Sequence, residues 1–147
     1  MHPTEGSGPD HTRAHRHPTR RPDGAGHRAS EAWYGRVLGL QRQFDEPHHE
    51  SDAGGHAVVL GTPAMSLNVG LDHHPTNAGS TFDPTRTGLD HLCFQVVSVE
   101  ALGEWAVHLE DQGVTHSGVR PMPGMPISLL SFTDPDGIQL ELIAFAG

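Results

Sequence analysis

The sequence predicts an α+β domain in which one plan, a helix followed by short strands, is laid down twice. Two observations carry this reading. Amphipathic helix patterns begin at Ser30 and Ser98 and are closed by Gly39 and Gly113, and each is followed by short apolar runs of strand length. A third observation qualifies it: a strand stands before the second helix, and nothing strand-like stands before the first. The first copy is therefore expected to have its opening strand poorly matched or missing.

Residues 1–29 are His-, Arg-, Pro-, Thr- and Gly-rich with almost nothing apolar, so they are expected to form a disordered tail. From residue 30 to 147 the composition is that of one folded domain, with a first module over 30–87 and a second over 88–147. In the first, Ser30 suits an N-cap and Glu31 a first helical turn, while Trp33, Tyr34, Val37 and Leu38 share one apolar face. Strands are predicted near 40–44, 57–60 and 65–71, the first two separated by a polar loop holding His48 and His49. The stretch 72–87, rich in Pro, Gly, Thr and Asn, reads as the linker.

The second module repeats the plan more clearly. A strand over 90–97 precedes a helix over 99–112, whose Leu102, Trp105, Ala106 and Leu109 form a one-sided stripe. Strands follow near 115–119, 127–132 and 138–145, with Asp134-Pro135-Asp136-Gly137 as the hairpin turn between the last two. Both tryptophans and Tyr34, the only tyrosine, are expected in the core. Arg86 and Arg120 are expected at the surface.

The charge balance narrows the partners. The chain carries a formal −9 and no lysine at all; without the first 29 residues, four arginines face fifteen acids, a net −11. Nucleic acid and anionic membrane are unfavourable partners for such a body, and a small molecule is the expected one. No stretch approaches the ~20 apolar residues of a membrane span. The single cysteine, Cys93, cannot close an internal disulfide, which fits a cytoplasmic location, and its place in a predicted strand suggests a buried structural thiol.

Two ionisable residues lie inside apolar strands, where burial is costly unless something pairs with them. They are His91, in Leu89-Asp90-His91-Leu92-Cys93-Phe94, and Glu141, in Ile138-Gln139-Leu140-Glu141-Leu142-Ile143. Imidazole and carboxylate are ligand types that hold a catalytic divalent metal. Either residue alone also fits a satisfied rim position. Superposing the two helix caps extends the set: Glu141 lies 43 residues after Ser98, and the same step from Ser30 reaches His73, with Asp72 beside it. His74 reads as a solvated loop residue. The corresponding step back from Ser30, matching His91, reaches Asp23 in the tail.

Three segments together resemble the vicinal oxygen chelate superfamily of glyoxalase I, bleomycin- and fosfomycin-resistance proteins and extradiol dioxygenases. They are Ser30-Glu31-Ala32-Trp33-Tyr34-Gly35-Arg36-Val37-Leu38-Gly39-Leu40, Gly88-Leu89-Asp90-His91-Leu92-Cys93-Phe94, and Ser131-Phe132-Thr133-Asp134-Pro135-Asp136-Gly137-Ile138-Gln139-Leu140-Glu141-Leu142. The resemblance implies two βαβββ modules whose curled mixed sheet surrounds a cleft. It implies metal ligands on the first and last strands of the modules, where His91 and Glu141 match the second-module pair, and it implies dimerisation. In place of a first-module opening strand stands Thr12-Arg13-Ala14-His15-Arg16-His17-Pro18-Thr19, which has no strand pattern.

The functional expectation is a small metal-dependent enzyme of the glyoxalase or dioxygenase type, acting on vicinal oxygens. His91, Glu141, Asp72 and His73 are its candidate ligands to Fe, Mn, Zn or Ni, and Glu141 is also the candidate catalytic group. The absence of lysine weighs against fosfomycin-type chemistry on a phosphonate. The alternative is a metal-free binding protein of bleomycin-resistance type that sequesters a small ligand.

Overall fold

The computed structural model describes residues 26–47, 55–64 and 67–146. The expected tail, with its five histidines His2, His11, His15, His17 and His27, lies outside these residues except for its last four; His48 and His49 lie outside them too. The order is α1 (Gly26–Leu38), β1 (Gln41–Pro47), β2 (His56–Gly61), β3 (Asn68–His73), β4 (His91–Gln95), α2 (Val99–Asp111), β5 (Arg120–Pro121), β6 (Ile127–Thr133) and β7 (Gln139–Phe145).

The architecture is α+β with two separate sheets. β1-β2-β3 is an antiparallel meander, and the second sheet has the order β4-β7-β6-β5, with β4 parallel to β7 and the other pairs antiparallel. The second module is thus a full βαβββ unit whose opening strand pairs with its last. In the first, β3 holds the place of β7, and no strand among the described residues pairs with its outer edge.

One apolar cluster joins the modules. Trp33, Tyr34 and Val37 from α1 pack with Leu102 and Leu109 from α2 and with Leu130, Phe132, Leu140 and Leu142 from β6 and β7. The even-numbered residues of β7 are buried while Gln139, Glu141 and Ile143 are half-buried and Phe145 is exposed, the period of two of a strand with one face on the core. Trp105 packs against the same cluster from its half-buried place on α2. Arg86 and Arg120 are exposed, as expected.

Three sequence expectations need correction. Ser30 is not an N-cap: α1 begins at Gly26, and Ser30, 1% exposed, donates from Oγ to Asp136 Oδ2 at 2.9 Å. A long-range bond to the other module has taken up the hydroxyl that sequence reasoning assigned to the helix's own backbone. Ser98 does cap α2, accepting from Ala101 N at 3.2 Å. The strand expected over 115–119 is reduced to one bridge, His116 to Phe132, with β5 displaced to Arg120–Pro121. Here Ser117 Oγ accepts from Ser131 N, which a regular ladder would give to a carbonyl. Finally, Cys93 is exposed, not buried.

The hairpin turn anchors the joint between modules. Asp134 Oδ1 accepts from Asp136 N and Ile138 N at 2.9 Å each, and Oδ2 accepts from the buried Tyr34 hydroxyl. Gly137 takes φ +89°, which the turn requires and only glycine adopts without strain. The linker is tied here too, through Phe82 N donating to Asp136 O at 2.9 Å. No helix among the described residues is long and apolar enough to cross a membrane.

Candidate functional site on the β4–β7 face

β4 and β7 run parallel in a register that sets His91 opposite Gln139 and Cys93 opposite Glu141. Leu92 and Phe94 turn to the core with Leu140 and Leu142, so strand alternation places His91, Cys93, Gln139 and Glu141 together on the other face. The two ionisable residues that stood out in the sequence are therefore neighbours, with His91 Nε2 3.9 Å from Glu141 Oε2.

Each is held by a second side chain. Asp90 Oδ1 lies 2.8 Å from His91 Nδ1, and Gln139 Nε2 donates to Glu141 Oε1 at 2.7 Å. The Asp90 bond assigns the imidazole proton to Nδ1 and leaves Nε2 facing Glu141. The Asp90 hydrogen bond, and then the Glu141 charge, push the His91 pKa above its usual value. Cys93 stands across from Glu141, and burial of its sulfur followed by the Glu141 charge raises the thiol pKa. Sequence reasoning gives Asp90 and Gln139 no role and takes Cys93 for a buried structural thiol. The signal was available as adjacency and strand parity, since Cys93 and Gln139 each sit two places from a chosen residue.

Asp72 and His73 do not stand together. Adjacent on β3, they project to opposite faces: His73 shares the core side with Leu71 and Val69, and Asp72 the other. His73 meets His27 and His56, with ring centres 5.8 and 5.2 Å away. No three His, Cys, Asp or Glu side chains among the described residues stand in metal-ligating positions. For a divalent metal the β4–β7 face thus fits in kind and in number only halfway. It offers two ligand groups of suitable chemistry, and a carboxylate on the far nitrogen of the histidine, the usual support of a metal-bound imidazole.

With this geometry in view, the comparison with known proteins is decisive at the level of family. The model of the Glyoxalase/Bleomycin resistance protein/Dioxygenase superfamily matches residues 24–142. The chain belongs to this superfamily. Among solved structures, it resembles a glyoxylase/bleomycin resistance protein/dioxygenase domain from Frankia sp. EAN1pec, at 26% identity and TM-score 0.67, over 80% of this chain and 87% of that one. It shares the fold of glyoxalase I from Leishmania major, at 21% identity and TM-score 0.56, over 80% of this chain and 77% of that one. It likewise shares that of TnmS3, an antibiotic binding protein from Streptomyces sp. CB03234, at 17% identity and TM-score 0.55, over 80% and 85%. No curated protein sequence matches the chain. Superfamily members of one architecture thus include an enzyme and a binding protein, so fold alone does not choose between them.

Proposed function

We propose that this superfamily member binds a small molecule with two adjacent oxygens on the β4–β7 face, and acts on it as a metal-assisted enzyme of the glyoxalase or dioxygenase type. The observation that carries the reading is the chain Asp90–His91–Glu141: a carboxylate orients the imidazole, whose free nitrogen faces a second carboxylate across 3.9 Å. A metal-binding half-site is built this way. His91 and Glu141 are the two ligands, and a bound Zn, Ni, Mn or Fe ion supplies Lewis-acid polarisation of the substrate oxygens.

The chain's own groups divide the remaining work. Asp90 holds the His91 tautomer. Gln139 occupies Glu141 Oε1 and leaves Oε2 to ligate or to take a substrate proton as general base. Asp72 and His73 remain candidates only if the first module shifts relative to its described arrangement. A second copy of the chain is the more economical source of further ligands, and it would also cover the outer edge of β3, which has no partner among the described residues.

A metal-free reading, in which the same face sequesters a small ligand, is favoured by the count of two ligand groups on this face. Metal content of the purified, tag-free chain, compared with a His91→Ala/Glu141→Ala variant, separates the readings. One equivalent lost in the variant supports the enzyme. Equal metal in both, or none in the parent, removes it and leaves the binding protein.

A further inference from the structure

Three histidines far apart in sequence meet on the opposite side of the first sheet. His56 and His73 are directly opposed across the open end of the β2–β3 hairpin, and their ring centres lie 5.2 Å apart. His27, in the first turn of α1, sets its ring centre 4.6 Å from that of His56 and 5.8 Å from that of His73. His27 Nε2 and His56 Nε2 are 3.3 Å apart. Nδ1 of His27 and Nδ1 of His73 are both buried with no hydrogen-bond partner.

We propose that His27, His56 and His73 form a second transition-metal site of the zinc class, which pins the start of α1 to the β2–β3 hairpin. Two nitrogens on one tetrahedral ion, each about 2.0–2.1 Å from it, are about 3.3 Å apart, and the centres of three such rings are about 5.2 Å apart. The three measured centre distances bracket that figure, and the one nitrogen pair matches it. A hydrogen bond between His27 and His56 would also account for their 3.3 Å, but it does nothing for His73. A shared ion brings in all three rings and gives the stranded His73 nitrogen a partner, and a buried polar atom left unmet is costly.

The chemistry of the cluster agrees. Metal binding requires neutral imidazole, and burial together with the two neighbouring histidines disfavours the charged form of His27. An all-imidazole set suits zinc, copper or nickel and is poor for magnesium or calcium. As the side chains stand, no three of them are in ligating positions, so the ion has to draw the third ring in by a side-chain rotation. The location gives the site a purpose. β3 is the strand whose outer edge has no partner among the described residues, and a clip from α1 across β2 and β3 holds the sheet on its helix there.

The test is zinc binding by the full tag-free chain after chelator treatment, followed by titration calorimetry and thermal unfolding. It compares the parent with His56→Gln/His73→Gln and with His91→Ala/Glu141→Ala. Tail and loop histidines are common to all three, so differences report on the substituted pairs. The expected result is one zinc equivalent fewer in the first variant than in the parent, with loss of a zinc-dependent rise in Tm that the second variant keeps. Cobalt(II) in place of zinc should give the intense visible bands of a tetrahedral centre in the parent and the second variant, and not in the first. If the double variant does not fold, His27→Gln alone must lose the same equivalent and the same rise in Tm. Unchanged stoichiometry in the His56/His73 or His27 variant, or no zinc bound by the parent, overturns the site.

Discussion

The Tyr34 hydroxyl donates to Asp134 Oδ2 at 2.9 Å, a buried bond between residues 100 positions apart that locks the first helix to the hairpin turn of the second module. Burial pushes the Asp134 carboxyl above its usual range despite three donors, so the bond offsets a real desolvation cost. Tyr34→Phe removes the donor and leaves Oδ2 buried without it, with an expected loss of about 1–3 kcal/mol in urea unfolding. The pH dependence has a definite sign. Burial and Asp134 raise the Tyr34 pKa, so above the usual tyrosine value of 10.0 the unfolded chain loses a proton that the folded one keeps. Stability should therefore fall as pH rises past that point, and the Tyr34→Phe chain should fall less steeply.

Asp90 is expected to act on His91 and not on ligand directly. Its hydrogen bond is the largest reason that the His91 pKa is raised, ahead of the Glu141 charge. In Asp90→Asn, an NMR titration of the His91 ring should move down toward the usual imidazole value. A Glu141→Gln change should lower it by less. Equal titration in all three proteins would mean that Asp90 does not hold the imidazole, and the half-site would lose its support.

Much of this was legible in sequence where signals are local. The two helix stripes, the Asp134–Gly137 turn and the alternation of β7 follow from residues within a few positions of one another, and the structure agrees to within a few residues. Ser30 failed as a cap because its partner, Asp136, is 106 positions away. Cys93 reads as buried from the general apolar character of its strand, although it shares the parity of the polar His91 and Gln95. Only pairing with β7 shows that it shares a face with Glu141. His73 was reached by superposing the modules, a step that carried no information on which face of β3 it occupies. Its neighbours His27 and His56 come from two other elements and leave no local signature.

Cys93 supplies a reactivity test of the same face. It is exposed, yet burial of the sulfur and then the Glu141 charge disfavour its thiolate. At neutral pH it should react with iodoacetamide more slowly than a free cysteine. Glu141→Gln should raise the rate only modestly, since the carboxylate is the lesser cause. A large acceleration would mean that charge outweighs burial, and no change would mean that Glu141 does not influence the thiol.

The histidine cluster predicts an acid-side transition that the metal-free chain should show by itself. Burial, then the proximity of His56 and His73, lowers the His27 pKa below the usual 6.5. A lowered folded pKa means that the unfolded chain binds the proton more readily. The stability it contributes is present above pH 6.5 and is lost as pH falls through the folded value. His91, whose pKa is raised, has the opposite sign, and its exposure lets solvent screen the effect. With chelator present, Tm should drop as pH falls below the usual histidine value of 6.5. His27→Gln should flatten that slope, and His91→Gln should leave it or steepen it slightly. Zinc should hold Tm up through the upper part of this range in the parent and release it as protons displace the ion, which ties the pH profile to the same three rings.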